Sequence, residues 1–176
     1  MNLRVCLSLV VAALAGCRAA QHRPPAVRWL DPTARFGLSS ELSAHAPIGL
    51  RSMPHLTQDV AVRQDGAVVI IDPDHRWLVT PEEVLRRAFS WARVPLRGQR
   101  AVYQVELSAF ELQRLASGPS ARVACTVTKR GSDAAASAEV EVVMPAADAT
   151  IAALTDAMGK AAQELVARVI ARTRRR

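Results

Sequence analysis

The sequence predicts one α+β domain: an antiparallel or mixed β-sheet with two main helices packed on one face. Three observations predict it. Several short runs alternate apolar and polar residues, as Tyr103, Val105 and Leu107 do with Gln104, Glu106 and Ser108. A helix-start signal stands at Thr80 and Pro81, with Glu83 placed to complete a capping box. The chain closes on a long pattern of helical period over residues 146–172. Strand runs divided by two helices give the order β, β-β-β, α, β-β-β, α, with no internal repeat and no second domain boundary.

Residues 27–32, "VRWLDP", predict a short strand closed by Asp-Pro. Residues 33–47 mix Ser, Ala and Gly and favour no element. Residues 48–53 predict a strand ended by Pro54. Residues 58–72 predict two strands, with a turn at Gln64, Asp65 and Gly66, because Asp-Gly between apolar runs favours a hairpin. In the helix that follows, Val84, Leu85, Ala88, Phe89 and Ala92 share a face, and Pro95 and Gly98 stop it near Arg93. Residues 101–110 predict a half-buried strand, residues 117–120 ("SGPS") a turn, residues 121–129 a strand, "RGSD" a turn and residues 138–144 a strand. In the last helix Ile151, Leu154, Met158, Ala161, Leu165 and Val169 form the apolar stripe, and Gly159 weakens it by about 1 kcal/mol relative to Ala.

The N-terminus has a different character. Arg4 is the only charge in the first 17 residues, residues 5–14 are apolar apart from Cys6 and Ser8, and Ala15 and Gly16 follow. That is the layout of a secretory signal peptide. A membrane span needs roughly 20 apolar residues, so this run is short for one. Removing residues 1–16 leaves 160 (176 − 16) with 22 basic and 16 acidic side chains, a net charge of +6. Of three cysteines, Cys6 leaves with the signal. Cys125 alternates with Val123 and Val127 on one strand face, a core pattern. Residues 18–25, "RAAQHRPP", read as a tether.

The order Leu14, Ala15, Gly16, Cys17 resembles the bacterial lipoprotein signal, the lipobox. In that family the cysteine thiol takes a diacylglyceryl group, the peptide is cut before it and the new amino group is acylated. An ordinary signal peptide with a chance cysteine is the plain alternative. The resemblance implies lipidation at Cys17, and Arg18 rather than Asp after it implies the outer membrane over the inner one. The expected organisation is a signal at 1–16, a lipidated tether at 17–25, a domain at 26–172 and a basic tail at 173–176.

The domain carries a further resemblance. "VRWLDP" after a lipobox, "HRWLVTPEEVLRRAF", "YQVELSAFELQ" and "ARVACTVTKRGS" follow one another in the order and spacing of the ABC-type transport auxiliary lipoprotein family, over most of residues 27–172. Two segments depart from its pattern: only "MPHL" stands at residues 53–56, and "ACTVT" replaces a tryptophan-bearing strand. The resemblance implies a non-catalytic outer-membrane component of an MCE-type transport system for lipids or other hydrophobic molecules. Its partners would be an MCE-type periplasmic protein with its permease and ATPase, and relatives that form rings imply a homo-oligomer. Arg76, Trp77 and Pro81 fall on family-signature positions; they are candidate partner contacts, and Trp77, just ahead of the Thr80 cap, reads alternatively as packing back on the sheet to fix the helix entry.

Motifs for chemistry are few. His22, His45, His55 and His75 lack metal-ligand spacing, so no metal or other cofactor is expected. Asp72, Asp74 and His75 stand together, which reads either as an acid–base pair or as an Asp-Pro turn with local hydrogen bonds. There is no phosphate loop and no nucleophile motif, so no enzyme is expected. Trp91 lies one residue off its helix stripe and divides between core and partner contact. Arg172, Arg174, Arg175 and Arg176 suit anionic headgroups, an acidic partner or simply a helix C-terminus; nucleic acid is not expected for an exported lipoprotein. Two rival readings stand beside the transport role: an envelope-assembly or cell-wall-enzyme-activating module, and a small lipid-binding carrier.

Overall fold

The computed structural model describes residues 26–34, 36, 48–64, 68–94, 96–97, 101–131 and 137–174. They form β1 (Arg28–Leu30), β2 (Ile48–Ser52), β3 (Asp59–Gln64), β4 (Val68–Trp77), α1 (Pro81–Trp91), β5 (Tyr103–Leu115), β6 (Gly118–Lys129), β7 (Ala138–Pro145) and α2 (Ile151–Arg174). The signal region, Cys17, the tether, His22, His45 and two residues of the 64–66 turn lie outside the described residues.

The strands make one mixed, open sheet in the order β1-β4-β3-β5-β6-β7, with β2 also on β5. β2 and β3 lie end to end along the same side of β5, both parallel to it: Ile48 stands opposite Tyr103 and Ala61 opposite Glu111. The pairs β3–β4, β5–β6 and β6–β7 are antiparallel. β1 adds three parallel residues, with Arg28 opposite His75 and Leu30 opposite Trp77. Both helices cover one face, where Val62, Leu107, Phe110, Leu112, Cys125 and Val140 join Phe89 and Leu165 in a single core.

Two strands run longer than their local chemistry predicts. β5 continues to Leu115 because a bulge between Leu107 and Ala109 shifts its register. The shift returns Phe110 and Leu112 to the core face that Tyr103, Val105 and Leu107 occupy, so the strand keeps a buried side. The expected four-residue turn shrinks to Ala116 and Ser117, and Gly118 takes a φ of 115°, which favours glycine. β4 passes through Asp72-Pro73 instead of ending there. The turn chemistry is nevertheless present, since the Asp74 N–H donates to Asp72 Oδ1 at 2.9 Å. It is housed in a bulge: between the pairs Asp59–Arg76 and Ala61–Ile71, two steps on β3 (61 − 59) face five on β4 (76 − 71).

In α1 the Thr80 hydroxyl accepts the Glu83 N–H at 3.3 Å and Pro81 opens the helix. The capping box is half made, because the Glu83 carboxylate faces Arg86 and Arg87 instead of the Thr80 N–H. Val84, Leu85, Ala88, Phe89 and Ala92 are buried. Arg93, at φ 54°, turns the chain away, and the Val94 N–H closes on the Phe89 carbonyl at 3.0 Å.

α2 starts behind Thr150, whose hydroxyl accepts the Ala153 N–H at 3.3 Å. It runs through Arg174, so the expected basic tail begins inside the helix. Of its predicted stripe, Leu154, Met158, Ala161, Leu165 and Val169 are fully buried and Ile151 is partly buried at the start. Gly159 has a role that helix propensity does not show: a Cβ there would meet the carbonyl oxygen of Pro32. Glycine lets the chain leaving β1 cross directly over the helix. Gly159→Ala gains helix propensity of about 1 kcal/mol yet is expected to lower stability by about 1–2 kcal/mol net, as overpacking against backbone does. A thermal midpoint above that of the parent would refute this. No described helix is long and apolar enough to cross a membrane.

Candidate functional site

The junction from β4 to α1 gathers the residues singled out by sequence. Strand alternation sends Arg76 and Trp77 to opposite faces. Trp77 enters the core, fully buried, with its ring edge-on to Phe110 at 5.2 Å and 80°. Its backbone N–H donates to the Gln58 carbonyl at 2.7 Å. Its indole Nε1 is buried without a hydrogen-bond partner.

Arg76 closes the β4 bulge. Its guanidinium donates to the carbonyls of Asp72 and His75, at 2.8 Å each, and its Nε lies 2.9 Å from Asp59 Oδ1. Pro81 is buried at the head of α1. These three positions therefore do not form one exposed contact patch. They pin strand, bulge and helix to one another.

Inside the bulge His75 Nδ1 lies 3.0 Å from Asp72 Oδ1. Burial works to raise the Asp72 carboxyl, but the His75 ring and the Asp74 N–H outweigh it and hold it below its ordinary value. His75 Nε2 is buried and unpartnered. The pair is local to one strand and turned inward, so the turn reading describes it better than the acid–base reading. His55 is exposed beside Pro54. Among the described residues no three His, Cys, Asp or Glu side chains are grouped to hold a metal. Cys125 is buried, and burial with the nearby Glu139 charge pushes its thiol up to about 12. Trp91 is half-buried, edge-on to Phe36 at 5.1 Å.

The helix-free face of the sheet carries a feature the sequence reading missed. Glu111, 6% exposed, lies between two arginines. Arg63 grips both carboxylate oxygens, at 2.7 and 3.0 Å, and Arg122 reaches Oε1 at 3.2 Å. Arg122 also pairs with Glu141 at 3.1 Å, so charges alternate across β3, β5, β6 and β7. Burial works to raise the Glu111 carboxyl, but the two guanidiniums hold it below its ordinary value. The signal was the spacing of Glu111 and Gln113, legible only with the bulge and the strand order in hand. At the other end of this face Gly49, Arg51, Gln104, Glu106, Lys129 and Arg130 line an open cleft of about 600 Å³. A second open cleft, about 800 Å³, runs between Leu30, Pro32 and Phe36 and the first turns of α2 at Ile151 and Ala152.

No protein-family model matches the chain. No curated protein matches it either. Among solved structures it is similar to protein XCC0632 from Xanthomonas campestris, of family DUF330, with a TM-score of 0.62 at 15% identity over 85% of this chain and 98% of that one. It also resembles an uncharacterized protein at a TM-score of 0.49 and 8% identity, over 74% of this chain and 94% of that one. The first likeness is one of fold.

Proposed function

We propose that this chain is a non-catalytic lipoprotein, anchored through Cys17 at the periplasmic face of the outer membrane and accessory to an ABC/MCE-type transporter of lipids or other hydrophobic molecules. Its task is to dock the periplasmic conduit at that membrane. The observation that carries the reading is the order Leu14, Ala15, Gly16, Cys17 ahead of a domain whose segments follow the auxiliary lipoprotein pattern. The inward placement of Trp77 and Pro81 supports it as far as their signature role is structural.

Cys17→Ser tests the anchor. The variant is expected to lose acylation, by mass, and to remain uncut or leave the membrane fraction. Normal fractionation of the variant would refute the anchor. The transport role is tested by pull-down of the anchored protein, which is expected to recover an MCE-type protein; recovery of cell-wall synthases without one sinks it.

The cleft beside α2 favours a second reading, a small lipid carrier, since Leu30, Phe36 and Ile151 line it beside Asp156, Lys160 and Gln163, an apolar wall with a charged rim. That reading predicts co-purifying lipid in native mass spectra of the Cys17→Ser protein, and its absence counts against it.

A further inference from the structure

Nine large hydrophobic side chains among the described residues are substantially exposed, and seven of them fall on one flank of the sheet. Val27, Trp29 and Leu78 stand at one end of the flank and residues 68–71 at the other. The concentration on β1, β4 and their immediate neighbours separates this flank from ordinary scattered exposure. Among the described residues β4 is terminal over residues 68–74, because β1 covers it only from His75 to Trp77. Residues 68–71 expose side chains on both faces, Val68 at 56% and Ile71 at 53%. Edge strands are commonly blunted by lysine, proline or an inward charge; on this edge Asp72 and Pro73 blunt only the end beside the bulge, and residues 68–71, "VVII", carry no such residue.

The position of Cys17 says what meets this flank. Val27 follows it by ten residues (27 − 17), a chain that spans at most about 35 Å when fully extended. An anchor at Cys17 therefore keeps β1, the first described strand after it, within about 35 Å of the bilayer. Arg18, Arg23 and Arg28 lie in or next to that stretch and suit anionic headgroups. Trp29, 57% exposed, carries the amphipathic ring that settles at membrane–water interfaces. One added protein strand would cover residues 68–74 and leave Trp29 and Leu78 bare, whereas a deformable surface covers both.

We propose that this flank rests on the lipid surface, with Trp29 and residues 68–71 in the interfacial layer of the bilayer that holds Cys17. The inference rests on the anchored reading above. Asp72 and Asp74 close the apolar run, and the open strand edge needs water, so the contact stays at headgroup depth.

The test uses the mature acylated protein in vesicles of phosphatidylethanolamine with a minority of phosphatidylglycerol, with and without brominated acyl chains. Flotation with the vesicles reports the anchor, and bromine quenching of tryptophan emission reports the flank. Trp77 is fully buried and Trp91 packs on Phe36, so quenching is expected from Trp29 and is lost in Trp29→Phe. Val69→Glu is expected to float like the parent and to lose most of the quenching. Protein that floats but emits equally in plain and brominated vesicles overturns the lipid contact and gives the flank to a protein strand. Quenching retained in Trp29→Phe overturns it too. Protein that does not float overturns the anchor, and the inference with it.

Discussion

Trp77→Ala is expected to lower stability by about 4 kcal/mol, the largest loss from any single substitution considered, because it empties the largest fully buried side chain of the core. The ring supports three neighbours at once. It meets Phe110 edge-on at 5.2 Å, on the strand that carries most of the sheet's pairing. It stands opposite Leu30, through which β1 attaches. It also ends β4 three residues before the Thr80 cap, so a cavity there loosens the start of α1. Urea unfolding followed by circular dichroism measures the loss as a fall in midpoint at unchanged slope.

Trp77→Phe separates the ring from its polar atom. Phenylalanine keeps an aromatic contact with Phe110 and removes a buried Nε1 that has no hydrogen-bond partner. The gain from the missing unsatisfied donor, about 1 kcal/mol or more, offsets part of the volume lost. The expected cost is therefore well below that of alanine. Equal midpoints for the two variants would show that Nε1 finds a partner the fold does not provide. If Trp77→Ala left the midpoint where it was, the tryptophan would not be the pin between sheet and helix.

Legibility followed the range of the interactions. Thr80, Pro81 and the stripe from Val84 to Ala92 announce α1 because capping and helical period act within four residues. The stripe of α2 was legible for the same reason, and "VRWLDP" gave β1 through its Asp-Pro stop. The end-to-end placing of β2 and β3 along β5 was not legible, since parallel pairing joins residues some 50 positions apart, as Ala61 with Glu111. β4 was read short because Asp72-Pro73 is turn chemistry; Arg76, reaching back to two carbonyls, holds that turn inside a bulge. Gly159 looked like a weakness because its neighbour, the Pro32 carbonyl, is distant in sequence. Of the candidate site, the packing of Trp77 against the sheet at the helix entry was legible, but the grip of Arg76 on the Asp72 and His75 carbonyls was not, because it depends on the bulge. The exposed "VVII" run was visible as a strand and gave no sign of lying at an open edge.

Glu111→Gln is expected to destabilise the fold by about 3 kcal/mol near neutral pH, at the low end for breaking a buried ion pair because both arginines keep about a quarter of their side chains in water. The substitution is nearly isosteric, so it changes charge and hydrogen-bond polarity while leaving volume alone. Oε1 of Glu111 accepts from Arg63, Arg122 and Gln113, at 2.7, 3.2 and 3.3 Å. A glutamine amide cannot offer two acceptors, so an NH₂ group must face a guanidinium. The Gln113 side chain also holds Ser120 at 3.0 Å, and the disturbance passes along β5 and β6. The pH dependence carries the sign. The folded carboxyl lies below its unfolded value, so its stabilisation is complete above the unfolded value and is lost as pH falls through the folded one. The parent should therefore weaken on acidification more steeply than Glu111→Gln, and the two curves should converge at low pH. Curves that stay parallel through the acid range would show that the Glu111 charge is not what ties Arg63 to Arg122.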